Sequence, residues 1–178
     1  MPKKIALVTL DYPPEKGGVA RYLGNLVRAA NGMMDVFVNE EHETTGPGKV
    51  ISVPFFWPCW PRWMPMIQFF RRLDKAVYEQ ALMSHVLPVG TAAWIAKKFG
   101  GPKYSLLLHG LDVRLALASP RRTWLMKRVL RGARTVFVNS LFVAQEVKAL
   151  DVSLDPIVVT PGVEVMTFMD RSSARQEL

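Results

Sequence analysis

A chain of 178 residues with 49% hydrophobic and 21% charged side chains is long and apolar enough to bury one globular core, which excludes an intrinsically disordered segment. Its single cysteine, Cys59, excludes an internal disulfide and a cysteine-rich zinc site, and suits a reducing compartment. A formal net charge of +8 points to anionic partners: phosphate-bearing ligands, an anionic membrane surface or nucleic acid.

In chain order, Lys4–Leu10 is a short apolar run bounded by turn residues, the pattern of a buried parallel strand. Lys3-Lys4 leads straight into it with no small-residue cleavage site behind, so no signal peptide is expected. No membrane span is expected either, since the longest mainly apolar run, Ala81–Ala96, is interrupted by His85, Pro88 and Gly90. After the strand come Asp11, Tyr12, Pro13, Pro14, Glu15, Lys16, Gly17 and Gly18. Two prolines cannot continue a central strand, because each lacks a ladder N–H. Two glycines permit backbone angles that a Cβ forbids and let a ligand approach the main chain. An amphipathic helix opening at Val19 would place Val19, Leu23, Leu26, Val27 and Ala30 on one face and Arg21, Asn25 and Arg28 on the other. Its unpaired first N–H groups make an anion site, and phosphate is the usual occupant. A tight turn is the alternative reading of the glycine pair alone. There is no G-x-G-x-x-G, and the Gly48-Lys49 pair has Glu43 where a P-loop needs its first glycine, so neither nucleotide fingerprint applies.

Further strands are predicted over Met34–Val38 and Lys49–Val53, separated by a polar loop that carries His42. Pro54–Phe70 interleaves Phe55, Phe56, Trp57, Trp60, Trp63, Phe69 and Phe70 with four prolines, which forbids regular structure before about Met64. A helix then follows with Ile67, Phe70, Leu73 and Val77 inward. Aromatic rings on an irregular loop, followed by Arg71-Arg72, suit a membrane interface, and equally suit packing against the sheet. Strands over Ala81–Val86, Lys103–Leu108, Arg134–Val138 and Ile157–Thr160 alternate with helices from Pro88–Gly90 to Lys98, from Arg121 to Arg131, and from a Ser140 N-cap carrying Val143, Val147 and Leu150. Between Asp112 and Glu146 seven basic residues, from Arg114 to Arg134, have no acidic residue among them.

This alternation predicts an α/β chain with a doubly wound, mainly parallel sheet of about seven strands. Ligands of such sheets sit at strand carboxyl ends, where Gly17-Gly18, His85, His109-Gly110, Asn139-Ser140 and Pro161-Gly162 all fall. No His-x-His or Glu-x-x-His spacing suggests a metal, and no Gly-x-Ser-x-Gly elbow suggests a hydrolase. The site works by positioning and electrostatics.

The string Tyr12-Pro13-Pro14-Glu15-Lys16-Gly17-Gly18-Val19-Ala20-Arg21-Tyr22 resembles the acceptor-domain entrance of family 4 glycosyltransferases. His109-Gly110-Leu111-Asp112 resembles that family's His-Gly-x-Asp segment, and Val138-Asn139-Ser140-Leu141-Phe142 its Asn-Ser-x-Phe segment. Thr160-Pro161-Gly162-Val163-Glu164 with Phe168 resembles its link into a second domain. The resemblance implies the N-terminal, Rossmann-like half of a GT-B fold over residues 1–165, with 166–178 beginning the link and the donor-binding domain, including its Glu-x7-Glu motif, absent. It implies retaining transfer of a sugar, such as a mannosyl or glucosyl group, from a nucleotide-diphosphate donor, with no cofactor and no obligatory metal. Gly17 and Gly18 would face the donor diphosphate, and His109 would be catalytic beside the transferred sugar. Asp112 would hold the His109 loop or an acceptor hydroxyl, and Tyr12, Arg21, His85, Asn139 and Ser140 would line the acceptor side. The partners implied are a nucleotide sugar and a saccharide or lipid-linked acceptor in envelope polysaccharide synthesis, on the cytoplasmic side and in part at the inner membrane face, with no nucleic acid. Residues 1–178 alone would show little turnover. The rival reading is a non-catalytic basic α/β module that docks on an anionic membrane or on nucleic acid.

Overall fold

The computed structural model describes residues 3–39 and 46–162. Strands β1 (Lys4–Val8), β2 (Met34–Asn39), β3 (Lys49–Val53), β4 (Tyr78–Met83), β5 (Tyr104–Leu108), β6 (Val136–Val138) and β7 (Ile157–Val158) form one seven-stranded sheet in the order β3-β2-β1-β4-β5-β6-β7. Every pairing is parallel, where the sequence suggested a mainly parallel sheet. The central strands carry near-continuous apolar runs because both of their faces are covered. Leu7, Val36, Val38, Leu82 and Leu107 point to one face, over which α1 (Gly18–Ala29) lies. Ala6, Val8, Met83, Leu106 and Leu108 point to the other. There they meet α2 (Met64–Arg72), α3 (Thr91–Lys98), α4 (Leu111–Leu117), α5 (Pro120–Gly132) and α6 (Leu141–Leu150).

One charge is built into this frame. Asp35 is buried, and its carboxylate accepts from Lys4 Nζ and from the Tyr78 hydroxyl, each at 2.9 Å. A buried carboxylate needs that double satisfaction. Burial, with the bond to Asp35 second, pushes the Tyr78 phenol up to about 12.

Several predicted boundaries shift. β1 ends at Val8, not Leu10, because Thr9 turns its hydroxyl to the Asp11 carbonyl. The buried stripe of α1 is Ala20, Leu23, Gly24 and Val27 with Tyr22, so Val19 and Leu26 lie at its margin. β4 begins at Tyr78, ahead of the expected Ala81, which leaves Val77 exposed in a turn instead of inward on α2. α4 is a helix that the sequence pattern does not announce. Its Leu111, Leu115 and Leu117 are exposed, so it lacks the one-sided apolar stripe that marks a helix in sequence. The aromatic stretch divides: Phe55 and Phe70 are fully buried and Phe69 contacts both, while Trp57 and Trp60 are exposed. His42, Glu164, Phe168 and the 166–178 link lie outside the described residues.

Candidate functional site

The strand order reverses between β1 and β4: the chain leaves β1 for α1 on one face and leaves β4 for α3 on the other. Such a reversal opens a crevice at the strand carboxyl ends. Here it holds a network of polar side chains. Thr9 Oγ1 donates to the Asp11 carbonyl at 2.9 Å and accepts from the Asp11 N–H at 3.1 Å and from the Ser84 hydroxyl at 2.7 Å. Ser84 Oγ in turn lies 2.7 Å from His85 Nδ1, and His85 Nε2 lies 3.2 Å from Asp11 Oδ2. Thr9 and Ser84 are fully buried. His85 is thus fixed at both ring nitrogens, and the half-exposed Asp11 carboxylate is held against it.

β5 supplies the next group. Gly110 turns the chain from β5 into α4 at φ +78°, a conformation that side chains rarely adopt, and a Cβ there would sit 3.2 Å from Val143. The turn sets His109 edge-on to the Tyr22 ring, 5.5 Å between centroids. Asp112 Oδ2 accepts the His109 backbone N–H at 3.3 Å, and burial raises the Asp112 carboxyl above its usual range. Burial, with His85 adding to it, pushes the His109 imidazole down to about 4. His109 Nε2 is buried and has no hydrogen-bond partner among the described residues. A neutral ring with an unpaired nitrogen is ready to bond a polar ligand.

Asp11, His85, His109 and Asp112 share a cavity of about 590 Å³, walled on its apolar side by Trp63, Leu87, Leu111, Leu115 and Leu125 beside Arg122. Val19 also lines it, whereas Gly17 and Gly18, the residues just before, open onto a second cavity of about 1020 Å³ together with Lys16, Arg21, Arg28 and Gly162. The two cavities therefore meet at the N-terminus of α1.

Of the two reasons the sequence offers for the glycine pair, unusual backbone angles and room for a ligand, the structure shows no sign of the first. Gly17 is extended, at φ −163°, and neither glycine has positive φ. A Cβ at either position would meet nothing within 4 Å. What the glycines preserve is open space before the first N–H groups of α1. Tyr12 is a correction: it was expected on the acceptor side, yet it is fully buried, its hydroxyl donating to the Pro47 carbonyl at 2.5 Å, and burial raises it to about 12. Arg21 faces the glycine cavity rather than the histidines. Ser140 caps α6, accepting the Val143 N–H at 3.3 Å, and neither it nor Asn139 lines either cavity. Asn139 Oδ1 is buried and unpartnered among the described residues. The sequence reading gave Asp11 no role. Its signal was an acid directly after the first strand, which only the β1–β4 adjacency brings to His85. Among the described residues no cluster of three or more His, Cys, Asp or Glu side chains could hold a metal ion.

The neutral His109 has a consequence for stability. The unfolded ring takes up its proton near pH 6.5 and the folded one near 4, so the unfolded chain binds more protons in between. Stability is complete above that window and falls as the pH drops through it, by no more than about 3 kcal/mol. His109→Gln should flatten urea-unfolding stability between pH 7 and pH 4.5 relative to wild type. Parallel losses in both proteins would refute the assignment.

Residues 17–162, well over half of the chain, match the family model described as Glycosyl transferase 4-like domain. No curated protein matches significantly. Among solved structures, sucrose-phosphate synthase from Thermosynechococcus elongatus aligns at TM-score 0.56 and 18% identity over 92% of this chain and 91% of that one. UGT89C1 of Arabidopsis thaliana, solved in complex with UDP-L-rhamnose, aligns at TM-score 0.55 and 14% identity over 96% of this chain, which spans 55% of that protein. The fold they share with this chain is the Rossmann-like half of a GT-B architecture.

Proposed function

Because this chain belongs to the glycosyl transferase 4-like family, we propose that it forms the acceptor-side half of an enzyme that transfers a sugar from a nucleotide-diphosphate donor with retention of configuration. The observation that carries this reading is the junction of two open cavities at the α1 N-terminus, one bare over Gly17 and Gly18, the other holding the unpaired Nε2 of His109. The donor diphosphate lies over the glycines, where backbone N–H groups and the nearby Lys16 and Arg21 stabilise charge on the leaving phosphate. His109, neutral at physiological pH, bonds a hydroxyl of the transferred sugar and sits beside the positive charge that develops at its anomeric carbon without adding its own. The bond from that carbon to the donor phosphate breaks, a bond to the acceptor oxygen forms on the same face, and the acceptor proton leaves with the phosphate. Asp112 holds the His109 turn, and Asp11, fixed by His85, orients the acceptor hydroxyl.

A second, donor-binding domain completes the cleft, and residues 1–178 alone turn over weakly. The acceptor is a saccharide or lipid-linked saccharide of envelope polysaccharide synthesis, handled at the cytoplasmic face, and no metal is required. The UDP-L-rhamnose held by the UGT89C1 structure supports a nucleotide-sugar donor. The test is to incubate the product of the whole coding sequence with labelled UDP- and GDP-hexoses and a lipid-linked oligosaccharide extract. Transfer with an unchanged anomeric configuration is expected, also in the presence of EDTA. Absence of transfer from every donor would favour the non-catalytic module, and inversion would overturn the retaining step.

A further inference from the structure

The two cavities leave unexplained an exposed apolar face on α4 and α5. Leu111 and Leu115, one turn apart on α4, are 66% and 55% exposed, and Trp124 on α5 is 56% exposed. Leu111, Leu115 and Leu125 line the cavity of His109, and Leu125 also lines a shallow groove with Pro120, Arg121 and Trp124. Leu125 belongs to both, so the apolar surface runs from beside His109 to the outer side of α5.

Cations border this surface. Arg131 and Arg134 are paired, with Asp151 and Glu79, but among the described residues no carboxylate pairs with Arg114, Arg121, Arg122 or Arg128. The Arg128 guanidinium lies 5.2 Å over the Trp124 ring and that of Arg114 lies 5.7 Å over Phe142. A merely solvated helix face gives no reason for exposed leucines and a tryptophan to gather among these arginines. Nucleic acid would use the arginines and could stack on Trp124, but would leave Leu111 and Leu115 with nothing apolar to meet. An anionic bilayer satisfies both sets at once, taking leucine and tryptophan at the headgroup boundary and arginine at the phosphates.

We propose that the α4–α5 face docks on an anionic lipid bilayer, with Leu111, Leu115 and Trp124 entering the interface and Arg114, Arg121, Arg122 and Arg128 meeting lipid phosphates. Docking this way turns the mouth of the His109 cavity toward the membrane. Resting on the transfer reading for this step alone, the acceptor is then lipid-linked. The tryptophans of the proline-rich loop, Trp57 and Trp60, line neither the His109 cavity nor the groove and are not required.

The experiment is co-sedimentation of the chain with vesicles of phosphatidylglycerol and phosphatidylcholine, and with phosphatidylcholine alone. Binding is expected to the mixed vesicles only. Leu115→Ser with Trp124→Ser should weaken it by about tenfold or more, and Arg121→Gln with Arg122→Gln several-fold with a shallower salt dependence. Trp57→Ser with Trp60→Ser should bind like wild type. All these side chains, including Arg122 at the edge of the cavity, are on the surface, and an unchanged circular dichroism spectrum verifies that each variant is folded. Absence of vesicle binding would overturn the proposal. So would α4–α5 variants that bind normally, loss only with the loop tryptophans, or binding of single-stranded RNA in preference to the mixed vesicles. Vesicle binding by a protein that transfers no sugar would refute the enzyme reading and leave docking intact. Transfer to soluble saccharides without vesicle binding would do the reverse.

Discussion

Gly17→Val should lower kcat/KM for sugar transfer by the intact enzyme by about a hundredfold, the scale of losing preorganised donors at a developing charge. The thermal midpoint should stay within about 2 °C of wild type, as expected for a surface substitution. The two halves of this expectation come from one observation. A side chain at position 17 would project into empty space, and the residue's extended backbone suits valine, so folding has no reason to suffer. In the proposed reaction, the same empty space is where the donor diphosphate comes close to the α1 N–H groups. Valine would hold the anion away from them, and both dipole and hydrogen-bond stabilisation decline steeply with distance. KM for the donor and kcat should both worsen, because the contact strengthens as the phosphate leaves. Kinetics of the variant beside a melting curve decide the matter. Full activity would show that the glycine pair is only a turn, and a large drop in melting temperature would show that it is structural.

Phe70→Ala should cost about 3–5 kcal/mol, the usual loss for deleting a large buried aromatic. Phe70 is fully buried in the α2 face of the core, with its ring 5.2 Å from that of Phe69, which also contacts Phe37 and Phe55. A domain of this size has only about 5–15 kcal/mol to lose, so the variant should melt roughly 10 °C lower or more and express poorly. Phe70→Leu, which keeps most of the volume, should retain the greater part of the stability. Trp60→Ser, at a position 90% exposed, should change it by no more than about 0.5 kcal/mol. Urea unfolding of the three proteins distinguishes anchor from ornament in the aromatic stretch. A loss below about 1 kcal/mol for Phe70→Ala would mean that α2 is not part of the cooperative core. The functional corollary is direct, since Trp63, next to α2, forms part of the wall of the His109 cavity.

Much of this fold was legible in the sequence because parallel strands buried on both faces must be apolar throughout. β3 and β5 were bounded to within a residue, Ser140 was placed as a cap, and the strand carboxyl ends were recognised as the place for a site. Chain order could not say which strand lies beside which. The sheet runs β2-β1-β4, so a residue after β1 and a residue after β4, 74 positions apart, become hydrogen-bond neighbours. For that reason Asp11, Thr9 and Ser84 carried no visible meaning, while His85 and His109 could be named from position alone. Burial was likewise undecidable from residue type. Tyr12 sits in a motif rich in ligand-like residues, yet the Pro47 carbonyl takes its hydroxyl. Gly17 and Gly18 were recognisable as glycines with a purpose, but whether the purpose was a backbone angle or an empty volume depended on what surrounds them in space. The amino-acid order by itself determined the α/β class, the core and the end of the sheet where the two cavities open. Only the tertiary structure decided which side chains share that end, because hydrogen bonds and desolvation act at a few ångströms, and proximity at that scale is set by strand order and not by sequence distance.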